Sequence, residues 1–99
     1  MKEARIQEVV VTWWRALGHV AIKLTMTGAM GVKGWPDYMV LGPKGLIFFI
    51  EFKSSDGDCT PLQLEKHKIL RRKGQRVYVC YDAATGKLIC KRELAGRGS

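Results

Sequence analysis

The sequence predicts a single α/β domain with the element order αβββαββ. Two apolar runs joined by a short glycine-proline turn make a hairpin, and segments with helical spacing flank it on both sides. Ninety-nine residues leave no room for a second core. The domain is assigned to 1–95, and the trailing Gly96-Arg97-Gly98-Ser99 is set aside as a tail or cloning remnant. The apolar fraction of 46% and charged fraction of 26% are those of an ordinary globular protein. No apolar run approaches the roughly 18 residues of a membrane span, and Met1-Lys2-Glu3-Ala4-Arg5 lacks a signal peptide's apolar core. Neither a secreted protein nor a membrane partner is expected. Cys59, Cys80 and Cys90 form no C-x-x-C pair, so neither a disulfide framework nor a zinc site is expected, and a reducing, cytoplasmic compartment is.

Each element has its own signal. From Glu3 to Leu17, Ile6, Val9, Val10, Trp13, Trp14 and Leu17 recur at helical spacing, and Gly18 follows as a stop. Glu3 shares a stripe with Gln7, Val10 and Trp14, an odd place for a carboxylate. His19 to Met26 alternates as a strand, with Val20, Ile22, Leu24 and Met26 on one side. Thr27 to Pro36, with three glycines, is a loop. Tyr38–Leu41 and Leu46–Lys53 form the hairpin around Gly42-Pro43-Lys44-Gly45. Both of its faces are apolar, so it is expected at the centre of the sheet. Thr60-Pro61-Leu62-Gln63 opens the second helix with an N-cap, a proline at the first position and a capping box, and Gly74 closes it. Arg76–Tyr81 and Lys87–Lys91 are read as two closing strands around Ala83-Ala84-Thr85-Gly86.

The net charge of +8 is spread along the chain. Such a balance suits a polyanionic partner, nucleic acid above all, although charge alone fits a merely basic protein as well. The second helix is the most basic segment, with Lys66, Lys68, Arg71, Arg72 and Lys73. Lys66, Arg71 and Arg72 are candidate phosphate contacts, as are Lys23 on the first strand and Lys33 in the loop. A solvated face is the competing reading.

The chemistry concentrates at Pro36-Asp37 and Glu51-Phe52-Lys53. Glu51 and Lys53 share one face of their strand. Asp37 joins them if Gly42 pairs with Leu46, leaving the three-residue loop Pro43-Lys44-Gly45. That loop length wants glycine at its last position, where Gly45 stands. Two carboxylates brought together repel and lose hydration. A divalent cation relieves this, and so would a salt bridge to Lys53. Hard oxygen ligands in low number suit Mg²⁺.

Pro36-Asp37 followed by Glu51-Phe52-Lys53 matches the PD-(D/E)XK nuclease signature. With Glu3 in the first helix, Lys33-Gly34-Trp35 entering the hairpin and Thr60-Pro61-Leu62-Gln63 opening the next helix, the chain resembles the virus-type replication–repair nuclease (VRR-NUC) domain. The form it resembles is the minimal, stand-alone one found in phages, from about Glu3 to Tyr81. The resemblance implies a restriction-endonuclease-like mixed sheet flanked by helices. It implies Asp37, Glu51 and the Phe52 carbonyl as ligands of Mg²⁺ or Mn²⁺, with Glu3 reaching the metal directly or through water. Lys53 would orient the attacking water and Gln63 would support the site. Glu3 also fits an acid favoured by the helix dipole, and Gln63 cannot fully serve both the capping box and the site. His67, one turn after Gln63, borders the site but is left out of the catalytic set. Of Trp13 and Trp14, only one can fully face the core; the other is a dimer contact, an edge packing residue or partly exposed.

The resulting expectation is a metal-dependent DNA endonuclease with Asp37, Glu51, Lys53, Gln63 and Glu3 at its catalytic centre. By the resemblance it would be a homodimer acting on branched DNA such as four-way junctions, in the host cytoplasm if phage-encoded, with no small-molecule cofactor. The alternative is a non-catalytic basic module binding nucleic acid through the second helix. Carboxylates in the groove argue against that.

Overall fold

A computed structural model describes residues 1–24 and 33–98. Its elements are α1 (Glu3–Ala16), β1 (Val20–Lys23), β2 (Tyr38–Leu41), β3 (Ile47–Phe52), α2 (Pro61–Arg72), β4 (Val77–Cys80) and α3 (Ala83–Gly98). The α/β class holds: three helices accompany one four-stranded mixed sheet, ordered β1-β2-β3-β4. The meander β1-β2-β3 is antiparallel, and α2 is the crossover to β4, which runs parallel to β3. Thr25 and Met26 of the expected strand and residues 27–32 of the expected loop lie outside the described residues.

The last element is a correction. Residues 83–98 are a helix, so the order is αβββαβα and not αβββαββ. The helix also runs through residues 96–98, beyond the 1–95 bound that the sequence suggests. Asp82 starts it: one carboxylate oxygen accepts the Thr85 N–H at 2.7 Å and the other the Thr85 hydroxyl at 3.0 Å. Gly86, Cys90 and Glu93 then bury at helical spacing. Gly86 is a contact point rather than a turn residue, because a Cβ there would stand 2.7 Å from Val10 Cγ2 and 3.0 Å from Cys80 Sγ.

The hairpin behaves as its turn chemistry requires. Tyr38 pairs with Ile50 and Leu41 with Ile47, and Gly42 N–H donates to the Leu46 carbonyl at 2.9 Å. The loop is therefore Pro43-Lys44-Gly45, with Gly45 at φ +75° and Lys44 beside it at φ +57°. β2 and β3 are central in the sheet.

Phe48, Ile50 and Phe52 point to one face, where they join Ile6, Val10 and Trp14 of α1 and Cys90 of α3 in the core. Trp14 is the inward member of the tryptophan pair. It packs edge-on against Phe48 and donates its indole N–H to the Val20 carbonyl at 2.9 Å. Trp13 is half-buried under Lys87. On β1 the side toward α1 is that of buried Ala21, and the apolar row holds Val20 and Ile22, 51% and 41% exposed. A second anchor fixes α3: Arg76 reaches both oxygens of buried Glu93 at 2.8 Å, and the Tyr78 hydroxyl donates to the same carboxylate. Burial and that bond push Tyr78 up to about 12.

Candidate active site

Three separate elements deliver the acidic residues. Glu3 comes from the first turn of α1, Asp37 immediately precedes β2, and Glu51 is in β3. The β1–β2 ladder carries on to Asp37, whose carbonyl accepts Leu24 N–H at 2.8 Å, which fixes its backbone. Its side chain is fixed as well: Phe52 N–H donates to Asp37 Oδ2 at 2.7 Å, across the hairpin. Carboxylate oxygens of Glu3, Asp37 and Glu51 lie within 4.8 Å of one another. The stripe position of Glu3 thus turns its carboxylate toward the hairpin acids.

Burial makes this cluster costly. Asp37 is 6% and Glu51 1% exposed. Glu51 is pushed up to about 8, first by burial, then by the Asp37 charge and a hydrogen bond with Asp37; Lys53 opposes the shift. Glu3 is raised too, by burial and then by Asp37, again opposed by Lys53. Lys53 therefore acts electrostatically on both glutamates, while its N–H extends the β3–β4 ladder to the Cys80 carbonyl at 2.9 Å. One lysine facing three acids leaves negative charge uncompensated. The donor set, hard oxygens gathered at the end of a sheet, fits a divalent cation. Burial raises the Cys59, Cys80 and Cys90 thiols, the last to about 12, which disfavours their thiolates.

Helix α2 supplies the other wall. Thr60 caps it as the sequence predicts, its hydroxyl accepting Gln63 N–H at 3.1 Å. The expected conflict at Gln63 does not arise, because the two ends of its amide separate the tasks. Oε1 accepts Thr60 N–H at 2.8 Å, and Nε2 donates to Glu51 Oε2 at 3.3 Å.

His67, which the sequence places at the border of the site and outside the catalytic set, lies against Glu51. It is fully buried, and its Nε2 lies 3.4 Å from Glu51 Oε1. Burial, with Arg71 and Lys53, pushes it below its ordinary value. The signal was its place four residues after Gln63, on the same helical face.

The candidate phosphate ligands divide. Lys23 is exposed on β1, beside a shallow groove it shares with Gln7, Arg15 and Tyr38. Lys33 is exposed close to Asp37 in sequence. Lys66 lies over the Trp35 ring at 4.7 Å from its centre. Arg71 is partly a structural residue, since its guanidinium donates to the Val77 carbonyl at 2.8 Å. Arg72 is exposed and faces Glu65 at 3.6 Å. No described helix is long and apolar enough to cross a membrane.

Comparisons with known proteins bear on this arrangement. No family model matches the chain. A curated relative, "Putative nuclease p44" of Acyrthosiphon pisum secondary endosymbiont phage 1, is 35% identical over 79 residues, covering 80% of this chain and 82% of the relative. A solved structure described as a "VRR_NUC domain" superposes with a TM-score of 0.77 at 30% identity, over 92% of this chain and 96% of that one.

Proposed function

This chain belongs to the VRR-NUC family, and from that premise we propose that it is a divalent-metal-dependent DNA endonuclease. The observation that carries the reading is the convergence of Glu3, Asp37 and Glu51, from three elements, beside the charge of Lys53.

In this reading Asp37, Glu51 and the Phe52 carbonyl hold Mg²⁺ or Mn²⁺, with Glu3 as a further ligand, direct or through water. When bound, the cation supplies charge stabilisation at the phosphate and lowers the pKa of water. The chain's own groups do the rest. Phe52 N–H prevents Asp37 from turning away, and Gln63 restrains one oxygen of Glu51. Lys53, on the same strand face as Glu51, donates from Nζ to the attacking water and orients it toward phosphorus. Lys23, Lys33, Lys66 and Arg72 bind flanking phosphates, positioning the strand without reading its sequence.

The substrate is branched DNA, four-way junctions included, cut by a homodimer that presents two sites to two strands. Supporting the dimer is an apolar row on the open sheet face, where Val20 pairs with Leu41 and Leu41 with Ile47. Val20 and Ile47 are exposed, as is Ile22. The family likeness and the phage relative support a cytoplasmic site of action in the host cell.

The test is incubation with labelled duplex, flap, splayed and four-way DNA, with and without Mn²⁺, alongside sedimentation. Metal-dependent cleavage with preference for a branched form is expected from a dimer. Binding of every DNA with no cleavage in any metal would leave the non-catalytic module instead.

A further inference from the structure

Every buried polar group of the site has been given a task except one. His67 is a fully buried imidazole on α2 whose Nε2 lies 3.4 Å from Glu51 Oε1. Its Nδ1 is buried with no hydrogen-bond partner. Gln63, one turn earlier on the same helix, donates from Nε2 to the other oxygen, Glu51 Oε2, at 3.3 Å.

We propose that His67 is a positioning residue. As the neutral imidazole protonated at Nε2, it donates to Glu51 Oε1 and, together with Gln63, fixes the plane of that carboxylate for a divalent cation. This rests on the metal-nuclease reading above and assigns to His67 a role that reading does not contain.

The tautomer follows from the surroundings. With Glu51 ionised, as a metal ligand must be, a proton on Nδ1 would leave a buried N–H without an acceptor and would turn the Nε2 lone pair against a carboxylate oxygen. A proton on Nε2 leaves only a lone pair unmatched, the smaller cost. The geometry follows from the helix. Residues four apart lie one above the other, so Gln63 and His67 meet the two oxygens of one carboxylate from a single rigid support. The capping box locks the Gln63 end, since Thr60 N–H holds Gln63 Oε1 at 2.8 Å. A carboxylate clamped at both oxygens keeps its remaining lone pairs aimed in one direction. That is how partners behind a ligand raise metal affinity, typically by about 10- to 100-fold.

Packing alone is the competing account, and it predicts something different. A buried side chain that only fills space is replaced without functional loss by an apolar one of similar size. Leucine at 67 keeps the bulk and the helix propensity but has no N–H; glutamine keeps a donor.

The experiment measures Mn²⁺ binding by calorimetry, melting without metal, and cleavage kinetics for wild type, Glu51→Ala, His67→Leu, His67→Met and His67→Gln. Expected for His67→Leu is metal-free melting close to wild type, Mn²⁺ affinity weaker by about 10- to 100-fold, a lower kcat and an unchanged KM for DNA. His67→Gln should recover most of the affinity. If the leucine variant does not fold, the methionine variant takes its place. Wild-type protein loaded with Mg²⁺, in which Glu51 is ionised, gives a further check, because long-range ¹H–¹⁵N spectra report which imidazole nitrogen carries the proton. Wild-type Mn²⁺ affinity and kcat in the donor-less variants, or a proton on Nδ1, would overturn the assignment. Wild-type Mn²⁺ affinity in Glu51→Ala would instead overturn the metal site itself.

Discussion

Gln63 and Glu51 are joined by the half of an amide that the helix cap leaves over. Oε1 of Gln63 accepts Thr60 N–H at 2.8 Å, and Nε2 reaches Glu51 Oε2 at 3.3 Å. Cap and site are thereby linked through one side chain, and substitutions can separate them. Thr60→Ala removes the cap hydroxyl and should cost about 1 kcal/mol of stability with little change in cleavage at low temperature. Gln63→Glu keeps the capping acceptor but sets a carboxylate against Glu51, and cleavage should fall by about tenfold or more. Chemical denaturation and initial cleavage rates check the pair.

Asp37, Glu51 and Lys53 should behave as one unit. Any single alanine should remove cleavage while most DNA binding survives, and double variants should be scarcely worse than single ones. Gel assays of binding and cutting on the same DNA decide this. Near-wild-type cutting by Glu51→Ala would falsify the site.

Metal-free stability should depend on pH in a direction set by Glu51. Its folded value is pushed from 4.5 up to about 8. Between those values the folded protein keeps a proton that the unfolded chain releases, so stability falls as pH rises. His67, pushed below 6.5, works the other way below 6.5, where the unfolded chain takes up a proton the folded one refuses. From 6.5 to 8 His67 no longer opposes this, and Glu51 contributes a loss of at most about 1.4 kcal/mol per pH unit, with the raised Glu3 acting in the same direction. Urea melts in chelator should show this slope in wild type and a flatter one in Glu51→Gln. Equal slopes would remove Glu51 as its source.

Gly86 predicts the opposite of its helix propensity. Alanine usually stabilises a helix interior by about 1 kcal/mol over glycine. Here the added methyl meets Val10 and Cys80, so Gly86→Ala should destabilise by about 1–3 kcal/mol. Thermal melting measures the sign directly.

That glycine also explains what was hard to read in the sequence. The hairpin register, the capping box and the meeting of Asp37 with Glu51 were legible because local chemistry dictates them: loop length, Gly45, and side-chain spacing on a strand. The terminal helix was not, because Thr85-Gly86 reads as a turn until α1 is known to pack there. Asp82 before two alanines was the available cue. The open side of β1 was hidden for a similar reason. Alternation shows that a strand has two sides, but which one a helix covers depends on tertiary placement, and α1 covers the Ala21 side. His67 needed the knowledge that α2 lies over Glu51.

The two arginines of α2 should respond differently. Arg71→Ala breaks the bond to the Val77 carbonyl and should cost about 1 kcal/mol, or about 4–8 °C in melting temperature. Arg72→Ala should leave stability nearly unchanged and reduce the salt dependence of DNA binding by a slope of about 0.9 if it neutralises one phosphate. Melting curves and binding titrations at several salt concentrations distinguish them.

The three carboxylates are far apart along the chain, which makes their meeting point a place where a cation would act as a cross-link. An ion held by Glu3, Asp37 and Glu51, whose carboxylate oxygens lie within 4.8 Å of one another, would close the loop from 3 to 37 and the loop from 37 to 51 together. An unfolded chain offers no such preassembled set, so an ion would bind the native state alone and would stabilise it by mass action. Loading the site would hold the first turn of α1 to the hairpin, and chelation would release that tether while leaving the hydrophobic core in place. Part of what a melting curve in metal-containing buffer reports would then be the affinity of the site, not the strength of the fold.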